Sequence, residues 1–523
     1  MGDPFEREAA EKLTIAMAGA SGFVGTALRR ALRGRHSVVG LTRSPNVAER
    51  GQGRPDEEWR HCDLFSLSSV TGAMAGADVA IYLVHSMLPS SRLTQGSFED
   101  LDLILADNFA RAAAHHGVRQ IVYIGGLVPP GKLSTHLESR HEVERTLGST
   151  GVPVTSLRAG LIVGPGGSST DLLVKLVKRL PIMALPSWTR SKTQPIAIAD
   201  VVRAVEACLD HPAARGRSFD LGGPEVMTYA DMIARTGGSL GQKRPTVSVP
   251  LITPRLSRLW VSLVTGASSA LTGPLVESLR HDMLAEDNAL QQHLVRRGLV
   301  PFDEALRRAL EPDGRPKPNP RAAIRERDDG VIRKTSVARS VQRLPLPGGR
   351  RARWVAAEYM RWLPSFVWPF LRVKIEGLKV AFRLSFVPLV LLRLRLEPEE
   401  SSDGRQYFAV TGGVLARTPA ERPGHLEFRE VLERSAVVAA VHDFAPRLPW
   451  FVYNATQALA HLWVMTGSGR LLREGARGED TRGEETRGDE TRGAEQPLAQ
   501  LAAKEVPDPA PSEVVAELNP PGT

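Results

Sequence analysis

The fold of the first half of the chain follows from one stretch near its start, Thr14-Ile-Ala-Met-Ala-Gly-Ala-Ser-Gly-Phe-Val-Gly-Thr-Ala-Leu-Arg-Arg30. A short apolar strand precedes three glycines at three-residue spacing, and an amphipathic helix follows them. Gly19 permits a tight turn, Gly22 lets the backbone approach a pyrophosphate, and Gly25 lets the helix pack closely on the strand. Free N–H groups at the helix N-terminus favour phosphates there. The stretch predicts a dinucleotide-binding loop; the alternative is a turn that binds nothing.

Beyond this loop, apolar runs, polar turns and helices alternate as far as residue 163. Nearly continuous apolar strands that alternate with helices indicate a parallel sheet covered on both faces, which is a doubly wound α/β (Rossmann) sheet. Such a sheet binds its ligand beyond the carboxyl ends of its strands. The later predicted strands are 37–42, 61–64, 78–85, 120–126 and 154–163, with helices over 100–116 and 135–147.

Two residues after the predicted strands bear on the choice of dinucleotide. Arg43 follows the second strand, where an acidic residue would bind the adenosine ribose of NAD, whereas an arginine suits the 2′-phosphate of NADP. Asp63 ends the third strand and is placed to meet the adenine edge. Alternatively, Arg43 is a solvated loop residue and Asp63 a cap or turn residue. The sequence favours NADP(H) over NAD(H).

Several short motifs that are typical of one protein family occur between residues 12 and 310. Besides Arg43, they are Gly-Ala-Ser-Gly-Phe-Val-Gly (19–25), Cys-Asp-Leu (62–64), Ile-Val-Tyr-Ile-Gly-Gly-Leu (121–127), Leu-Arg-Ala-Gly-Leu-Ile-Val-Gly (157–164), Gln-Pro-Ile-Ala-Ile-Ala-Asp-Val (194–201) and Phe-Asp-Leu-Gly-Gly-Pro (219–224). This set resembles the atypical short-chain dehydrogenases/reductases of the NAD-dependent epimerase/dehydratase superfamily, in particular the NmrA-like proteins and the accessory NADPH-holding subunit of mitochondrial complex I. The resemblance implies a Rossmann fold with a small helical substrate lobe and an NAD(P) cofactor, but it is less specific for a reaction.

The cofactor is expected to lie along the glycine loop and the strand ends. The residues expected to contact it are Gly19, Ser21, Gly22, Phe23, Val24, Gly25, Arg43, Asp63, Leu64, Val84, Gly125 and Arg140.

The catalytic set is where the chain departs from this family. Active members use a serine after the fifth strand and a Tyr-x-x-x-Lys on the next helix. Here the strand ends in Gly125 and Gly126, while His136 and Arg140 fall in the tyrosine and lysine positions, one helical turn apart. Arg140 could hold the nicotinamide ribose, and His136 could act as a general acid near neutral pH. Alternatively, both belong to a solvated helix face.

Two classes of function remain open at this point. The first is an oxidoreductase or epimerase that acts on a small, largely apolar carbonyl substrate. The second is a catalytically silent NADPH-binding protein that serves as a sensor or as a structural or assembly component. A lipid- or quinone-binding protein is a further alternative, which rests on the second domain alone.

The composition changes after residue 311, which ends the predicted first domain (1–311). Residues 312–335 are rich in proline and charge and are interpreted as a linker. Residues 336–472 read as strands followed by a long helix over 449–465, an α+β domain. That order is similar to the START-like helix-grip family, whose members enclose apolar ligands, although the apolar helix face could simply be core. Residues 473–523 include charged pentad repeats and are expected to be disordered.

The composition of the whole chain limits the partners, the metal sites and the location that can be expected. The net charge of +9 comes from scattered arginines, so we expect a solvated surface and no nucleic-acid partner. Cys62 and Cys208 have no metal-ligand spacing, and the histidines at 425, 442 and 461 are interpreted as unrelated, so no metal is expected. No secretory signal is visible, so a cytoplasmic protein is expected. No apolar run has the length of a membrane span, but the aromatic residues of 362–370 leave a peripheral membrane contact open. The sequence does not specify the oligomeric state.

Overall fold

The computed structural model contains an N-terminal domain built on a parallel sheet and a C-terminal domain built on an antiparallel one. This confirms the predicted fold class. The residues that the structure describes are 3–6, 11–50, 56–85, 94–131, 133–179, 183–242, 246–249, 278–319, 338–417, 423–448, 453 and 457–481.

The elements are numbered in chain order. The strands up to residue 249 are β1 (Thr14–Ala18), β2 (Ser37–Thr42), β3 (Glu57–His61), β4 (Val79–Tyr82), β5 (Thr94–Gln95), β6 (Gln120–Gly126), β7 (Val154–Ala159), β8 (Ile162–Val163), β9 (Met183–Pro186), β10 (Lys192–Thr193), β11 (Ile196–Ala197), β12 (Ser218–Leu221), β13 (Met227–Thr228) and β14 (Thr246–Val249). The helices of this domain are α1 (Phe23–Leu32), α2 (Pro45–Arg50), α3 (Leu67–Met74), α4 (Phe98–His115), α5 (Thr135–Gly148), α6 (Ser168–Arg179), α7 (Ile198–Cys208), α8 (Tyr229–Ser239), α9 (Ala289–Arg296) and α10 (Phe302–Ala309).

The C-terminal domain continues the numbering. Its elements are β15 (Ala338–Pro345), α11 (Ala352–Phe366), β16 (Leu371–Glu376), β17 (Lys379–Leu384), β18 (Val390–Leu396), β19 (Arg405–Gly412), β20 (Ala416–Arg417), β21 (His425–Val431), β22 (Ala436–Pro446) and α12 (Gln457–Thr481). None of the described helices combines the length and the hydropathy needed to cross a bilayer.

Seven parallel strands form the N-terminal sheet in the order β12-β7-β6-β4-β1-β2-β3. The strand order reverses between β1 and β4, so the glycine loop after β1 opens at the switch point where such sheets bind ligands. Successive side chains of β1 are buried on opposite faces of the sheet. Ile15 and Met17 lie in the core that includes Leu28 of α1, whereas Ala16 lies in the core around Phe109 of α4.

Three strands of this sheet differ from the prediction. β3 spans Glu57–His61 rather than 61–64, because its one buried residue, Trp59, packs against Gly40 of β2. The strand predicted over 154–163 is divided, since β8 leaves the main sheet and pairs with β11. β12, which pairs with β7, was not predicted as a strand.

In the C-terminal domain, neighbouring strands run antiparallel in the order β16-β17-β18-β19-β21-β22-β15. α11 and α12 contribute to one apolar core with the inner face of this sheet, and Tyr359, Phe428 and Met465 are among its members. The predicted order of a sheet followed by a long helix is therefore present. β16 and β17 form a hairpin, because the chain turns at Gly377, which has φ +55°.

The structure describes part of the predicted linker and part of the predicted tail. Residues 311–319 fold back on the N-terminal domain, where the Lys317 N–H donates to the Ala309 carbonyl at 2.9 Å. The rest of the predicted linker before residue 338 lies outside the described residues. α12 continues to Thr481, past the expected domain end at 472, and residues 482–523 of the predicted tail also lie outside the described residues.

The outer face of the C-terminal sheet packs on α4 of the N-terminal domain. Leu101 and Ile104 of α4 share a buried cluster with Val438 and Ala440 of β22. In addition, β5 pairs in parallel with β15, so the sheet of one domain takes a short strand from the other.

A buried charged network crosses the same interface. The Arg429 guanidinium on β21 is 1% exposed, donates a 2.8 Å hydrogen bond to Asn108 Oδ1 and lies 2.9 Å from Asp107 Oδ2. It also donates to Glu427 Oε2 at 3.1 Å. Because an unpaired buried charge is costly, this network ties the two domains together.

Candidate functional site

The glycine loop between β1 and α1 has the geometry expected of a dinucleotide loop. Gly19 has φ +83°, and a Cβ there would lie 3.0 Å from Leu83 Cβ. The Gly22 N–H donates to the Gly19 carbonyl at 2.9 Å and closes the turn. A Cβ at Gly25 would lie 2.7 Å from Ala20 Cα, so helix and loop approach at a distance that only glycine allows.

The N-terminus of α1 is suited to an anion. Gly22 is the N-cap residue, so no side chain caps the helix, and the first turn holds no acidic residue. A Cβ at Gly22 would touch only the Gly19 carbonyl oxygen, at 3.1 Å, which leaves open space beside the helix N–H groups. The flanking Ser21, Phe23 and Val24 are partly exposed. These residues fit the pyrophosphate of a dinucleotide.

Other expected cofactor residues lie at the carboxyl edge of the parallel sheet. Arg43 directly follows β2, Val84 follows β4, and Gly125 is near the end of β6. Arg43 and Val84 are partly exposed, whereas Leu64 is buried in the core between the sheet and α3. The sheet therefore brings most of the expected residues to one edge, although the Leu64 side chain is buried and its carbonyl accepts a hydrogen bond from Asn108.

Asp63 has a different environment from the expected one. Its Oδ1 accepts the Phe65 N–H at 3.1 Å, and its Oδ2 forms an ion pair with Arg339 of β15, from the C-terminal domain. Burial raises the pKa of the Asp63 carboxyl, but Arg339 and, to a smaller extent, Arg43 lower it overall. Since both oxygens are engaged, this geometry favours the turn interpretation over contact between the Asp63 side chain and adenine.

His136 and Arg140 contact each other on α5. Arg140 Nε donates to His136 Nε2 at 3.3 Å. Burial, with the charges of Arg140 and His85, lowers the pKa of His136 to about 2. The imidazole is therefore neutral at pH 7, and its Nε2 lone pair is already used. These surroundings oppose the expected role of His136 as a general acid, because the ring is buried and its Nε2 already accepts a hydrogen bond from Arg140.

Side chains crowd the two glycines at the end of β6, the place where the family has its serine. A Cβ at Gly125 would lie 2.8 Å from the Tyr123 ring, and one at Gly126 would lie 3.1 Å from Arg140 Cδ. Arg140 thus fills the space beside the strand end. The Tyr123 hydroxyl donates to the Arg140 carbonyl at 3.2 Å, and burial raises the pKa of this tyrosine.

The structure adds a histidine–aspartate pair that sequence reasoning missed. His85 follows β4, and its Nδ1 lies 2.7 Å from Oδ2 of Asp102, which is 1% exposed. The His85 ring centroid is 4.8 Å from that of His136, and no described residue hydrogen-bonds its buried Nε2. Burial and the Arg140 charge lower the pKa of His85, against a smaller opposing effect of Asp102. One imidazole nitrogen thus remains available at neutral pH.

No local pattern connects the members of this pair. His85 lies at the end of a predicted strand, and Asp102 lies on an apolar face of a helix that begins thirteen residues later, at Phe98. The signal that the sequence did contain is Asp102 itself. An acidic residue on the apolar face of a helix predicts a buried carboxylate, and a buried carboxylate needs a partner.

The comparisons with known proteins agree with this geometry. Residues 19–212 match the model of a family described as NAD(P)H-binding. The sheet order and the glycine loop of the N-terminal domain are similar to those expected of an atypical short-chain dehydrogenase/reductase. The auxiliary protein GraX of Staphylococcus aureus is 30% identical over 145 residues, 27% of this chain and 43% of its own.

Two plant proteins are also similar to the N-terminal domain. Subunit 9 of the mitochondrial NADH dehydrogenase [ubiquinone] 1 alpha subcomplex from Arabidopsis thaliana is 25% identical over 240 residues, 43% of this chain and 58% of its own. Sanguinarine reductase of Eschscholzia californica is 26% identical over 257 residues, 41% of this chain and 90% of its own. The chain thus spans about half the length of the first two relatives.

A second histidine cluster lies in the C-terminal domain. The His425 and His442 rings stack with their centroids 4.4 Å apart across β21 and β22. Together with Glu427 they offer three possible metal-ligand atoms, which lie within 4.8 Å of one another. The prediction that these two histidines are unrelated is wrong, because the strand pairing brings their rings into contact. The guanidinium groups of Arg405 and Arg429 bind Glu427, however, and their charge opposes a cation there.

Proposed function

We propose that this protein is an NADP(H)-dependent oxidoreductase that acts on a small, largely apolar carbonyl compound. The observation that carries the proposal is the His85–Asp102 pair, which lies close to Arg140 and directly follows β4 at the carboxyl edge of the sheet. One relative is named as a reductase, sanguinarine reductase, which supports an oxidoreductase function.

The residues of the N-terminal domain fit the cofactor in two places. Gly22 and the N–H groups of α1 would hold the pyrophosphate. Arg43 would bind the 2′-phosphate, because a guanidinium forms charge-assisted hydrogen bonds with phosphate oxygens. The nicotinamide would supply or accept the hydride when bound. Arg140 would hold the adjoining ribose as a fixed donor that does not lose its proton.

The proton in this reaction would move at Nε2 of His85. Asp102 accepts the Nδ1–H and so keeps the lone pair of the neutral ring on Nε2. Because the pKa of His85 is lowered, the ring is mostly neutral at pH 7 and acts as a base in the oxidative direction. In the reductive direction it must first take up a proton, so the reductive rate should rise as the pH falls.

The first experiment is a calorimetric titration with NADPH and NADH, followed by a screen for cofactor oxidation with ketones, aldehydes and quinones. Arg43→Asp is expected to weaken NADPH binding by about tenfold or more and to spare NADH, since a hydrogen bond to a charged group contributes about 1.5–3 kcal/mol. Arg307→Asp, at a 75% exposed site, is the charge-matched control. Equal losses in both variants would remove Arg43 from the site.

The role of His85 is tested with any substrate that the screen identifies. His85→Asn should lower kcat by about a hundredfold or more, the usual contribution of a general acid or base, and should flatten the pH profile. His136→Gln should retain the profile. A normal rate and profile in His85→Asn would contradict the assignment of the proton to Nε2.

A catalytically silent NADPH-binding protein is the second candidate, favoured because glycines stand where the family has its serine and side chains of Tyr123 and Arg140 crowd them. Tight NADPH binding without substrate-dependent oxidation across the screen would support it. The lipid- or quinone-binding alternative stays a prediction, which organic extraction of the purified protein would test. NADP(H) preference, cytoplasmic location and oligomeric state are likewise left to experiment.

A further inference from the structure

One end of the C-terminal sheet carries a group of exposed large apolar side chains, called here the apolar tip. Its members Trp368, Phe370, Phe386 and Val387 are 76%, 67%, 75% and 52% exposed. The two segments lie side by side, because the Ser385 N–H donates to the Phe370 carbonyl at 2.9 Å. Apolar side chains that gather in one exposed patch on a folded domain mark an interaction site.

The apolar surface continues onto the two helices. Phe366, the last residue of α11, stacks at 4.3 Å on Trp362 and lies 4.3 Å from the Trp463 ring of α12. Trp463 is 56% exposed, and Leu459 one turn earlier is 58% exposed. A groove of about 260 Å³ lies between these helices. The tip and the helices therefore present a continuous apolar end.

The outer sheet surface beside the tip is strongly basic. Arg372 of β16 and Arg383 of β17 are directly opposite each other, and Arg393 of β18 is the diagonal neighbour of Arg383. All three are exposed, and no salt bridge joins any of them to a carboxylate of the described residues. Like charges directly opposite in an antiparallel pair destabilise the sheet. An anion bound over the row would relieve this repulsion.

We propose that this end of the C-terminal domain docks on the surface of an anionic lipid bilayer. The aromatic side chains of the tip enter the interfacial layer, where an amphipathic ring is favourable, and the arginine row binds lipid phosphates. The charge identifies this occupant over a second copy of the chain, because a symmetric contact would place the same arginines against each other. The inference is independent of the proposed enzymatic function.

The test is flotation of the full chain with lipid vesicles. One set contains phosphatidylcholine alone, and the other contains phosphatidylcholine mixed with phosphatidylglycerol. The chain is expected to float with the mixed vesicles, to remain behind with the neutral ones, and to detach as salt rises, because salt screens exposed charges. Equal binding to both sets, or binding to neither, would overturn the proposal.

The tip is tested by Trp368→Ser, Phe386→Ser and Val387→Ser together. These positions are more than half exposed, so the substitutions should leave the circular dichroism spectrum unchanged while abolishing flotation. The matched control is Val226→Ser with Val295→Ser, at apolar sites of the N-terminal domain that are 54% and 56% exposed. Flotation that survives in the tip variant, or is lost equally in the control, would contradict the insertion.

The arginine row is tested by Arg372→Gln, Arg383→Gln and Arg393→Gln together. An arginine near an anionic surface contributes about fivefold in affinity, so the triple variant should bind about a hundredfold more weakly. The control loses the same charge through Arg307→Gln, Arg308→Gln and Arg315→Gln together. These three arginines are 75%, 55% and 76% exposed.

The outcome separates the lipid from other partners. Sedimentation that reveals a dimer lost in the tip variant, without vesicle binding, would identify a second copy of the chain instead. Binding of an acidic protein without any vesicle binding would equally overturn the lipid assignment.

Discussion

Burial decides the chemistry of the two histidines near the carboxyl edge of the N-terminal sheet. A histidine in water titrates near pH 6.5, so it changes charge in the physiological range. His136 is 6% exposed and is held against Arg140, and these surroundings lower its pKa to about 2. His85 is oriented by Asp102 instead. The first is a fixed neutral group, and the second keeps one nitrogen open to a reaction partner.

The lowered pKa of His136 predicts a pH-dependent stability. The unfolded chain binds a proton at His136 below about pH 6.5, and the folded chain does not. Stability from this residue is therefore full above pH 6.5 and falls by about 1.4 kcal/mol per pH unit below it. Urea unfolding between pH 7.5 and 5.5 should show a smaller decrease in His136→Gln than in the unchanged chain. An identical pH dependence in both proteins would contradict the burial of a neutral imidazole.

At the scale of elements, the contact between the glycine loop and α1 sets the shape of the cofactor site. Gly19 forms the turn and Gly25 lies in the first turn of the helix, so the helix N-terminus is brought over the end of β1. Gly72 in α3 has no such role, because a Cβ there would meet no atom within 4 Å.

These two glycines give opposite predictions for one substitution. Gly25→Ala should destabilise the fold by about 1–3 kcal/mol, as overpacking does, and should weaken NADPH binding. Gly72→Ala should stabilise the fold by about 0.5–1 kcal/mol, because alanine in a helix loses less backbone entropy. Thermal unfolding of both variants tests the pair. A neutral Gly25→Ala variant would mean that the loop approaches the helix less closely.

At the scale of the whole molecule, charged side chains join the C-terminal domain to the cofactor-binding domain. Arg343 of β15 binds both oxygens of Glu142 on α5 at 2.7 and 2.9 Å and Asp100 of α4 at 3.1 Å. Arg339 of the same strand binds Asp63 near the end of β3. β15 therefore contacts elements that also border the sheet edge where the cofactor is expected, and we expect the two domains to unfold together.

Arg429 gives the test of this coupling. Arg429→Ala leaves the buried carboxylates of Asp107 and Glu427 without their shared partner, which should cost about 3–5 kcal/mol. Calorimetry should show one transition in the unchanged chain and a lower or divided one in the variant. Arg361→Ala, at a half-exposed site paired with Glu358, should cost less than about 1 kcal/mol. Two separate transitions in the unchanged chain would contradict the coupling.

The sequence by itself determined the features that depend on neighbours along the chain. The spacing of Gly19, Gly22 and Gly25 predicts the loop, because a positive φ and close packing require glycine wherever the chain lies. Alternation of apolar strands with helices predicts the doubly wound sheet for a similar reason, since each element must bury its own apolar face. The late helix of the second domain was predictable in the same way.

Contacts between residues that are far apart along the chain depend on tertiary packing and were not predictable from the sequence. Asp63 finds Arg339 across a domain interface, His85 finds Asp102 on a neighbouring helix, and His425 stacks on His442 through strand register. The His136 pKa is equally a tertiary property, because the same residue on an exposed helix would titrate normally. The physical reason is that burial and pairing depend on how whole elements pack, and a local pattern records only which face of one element is apolar.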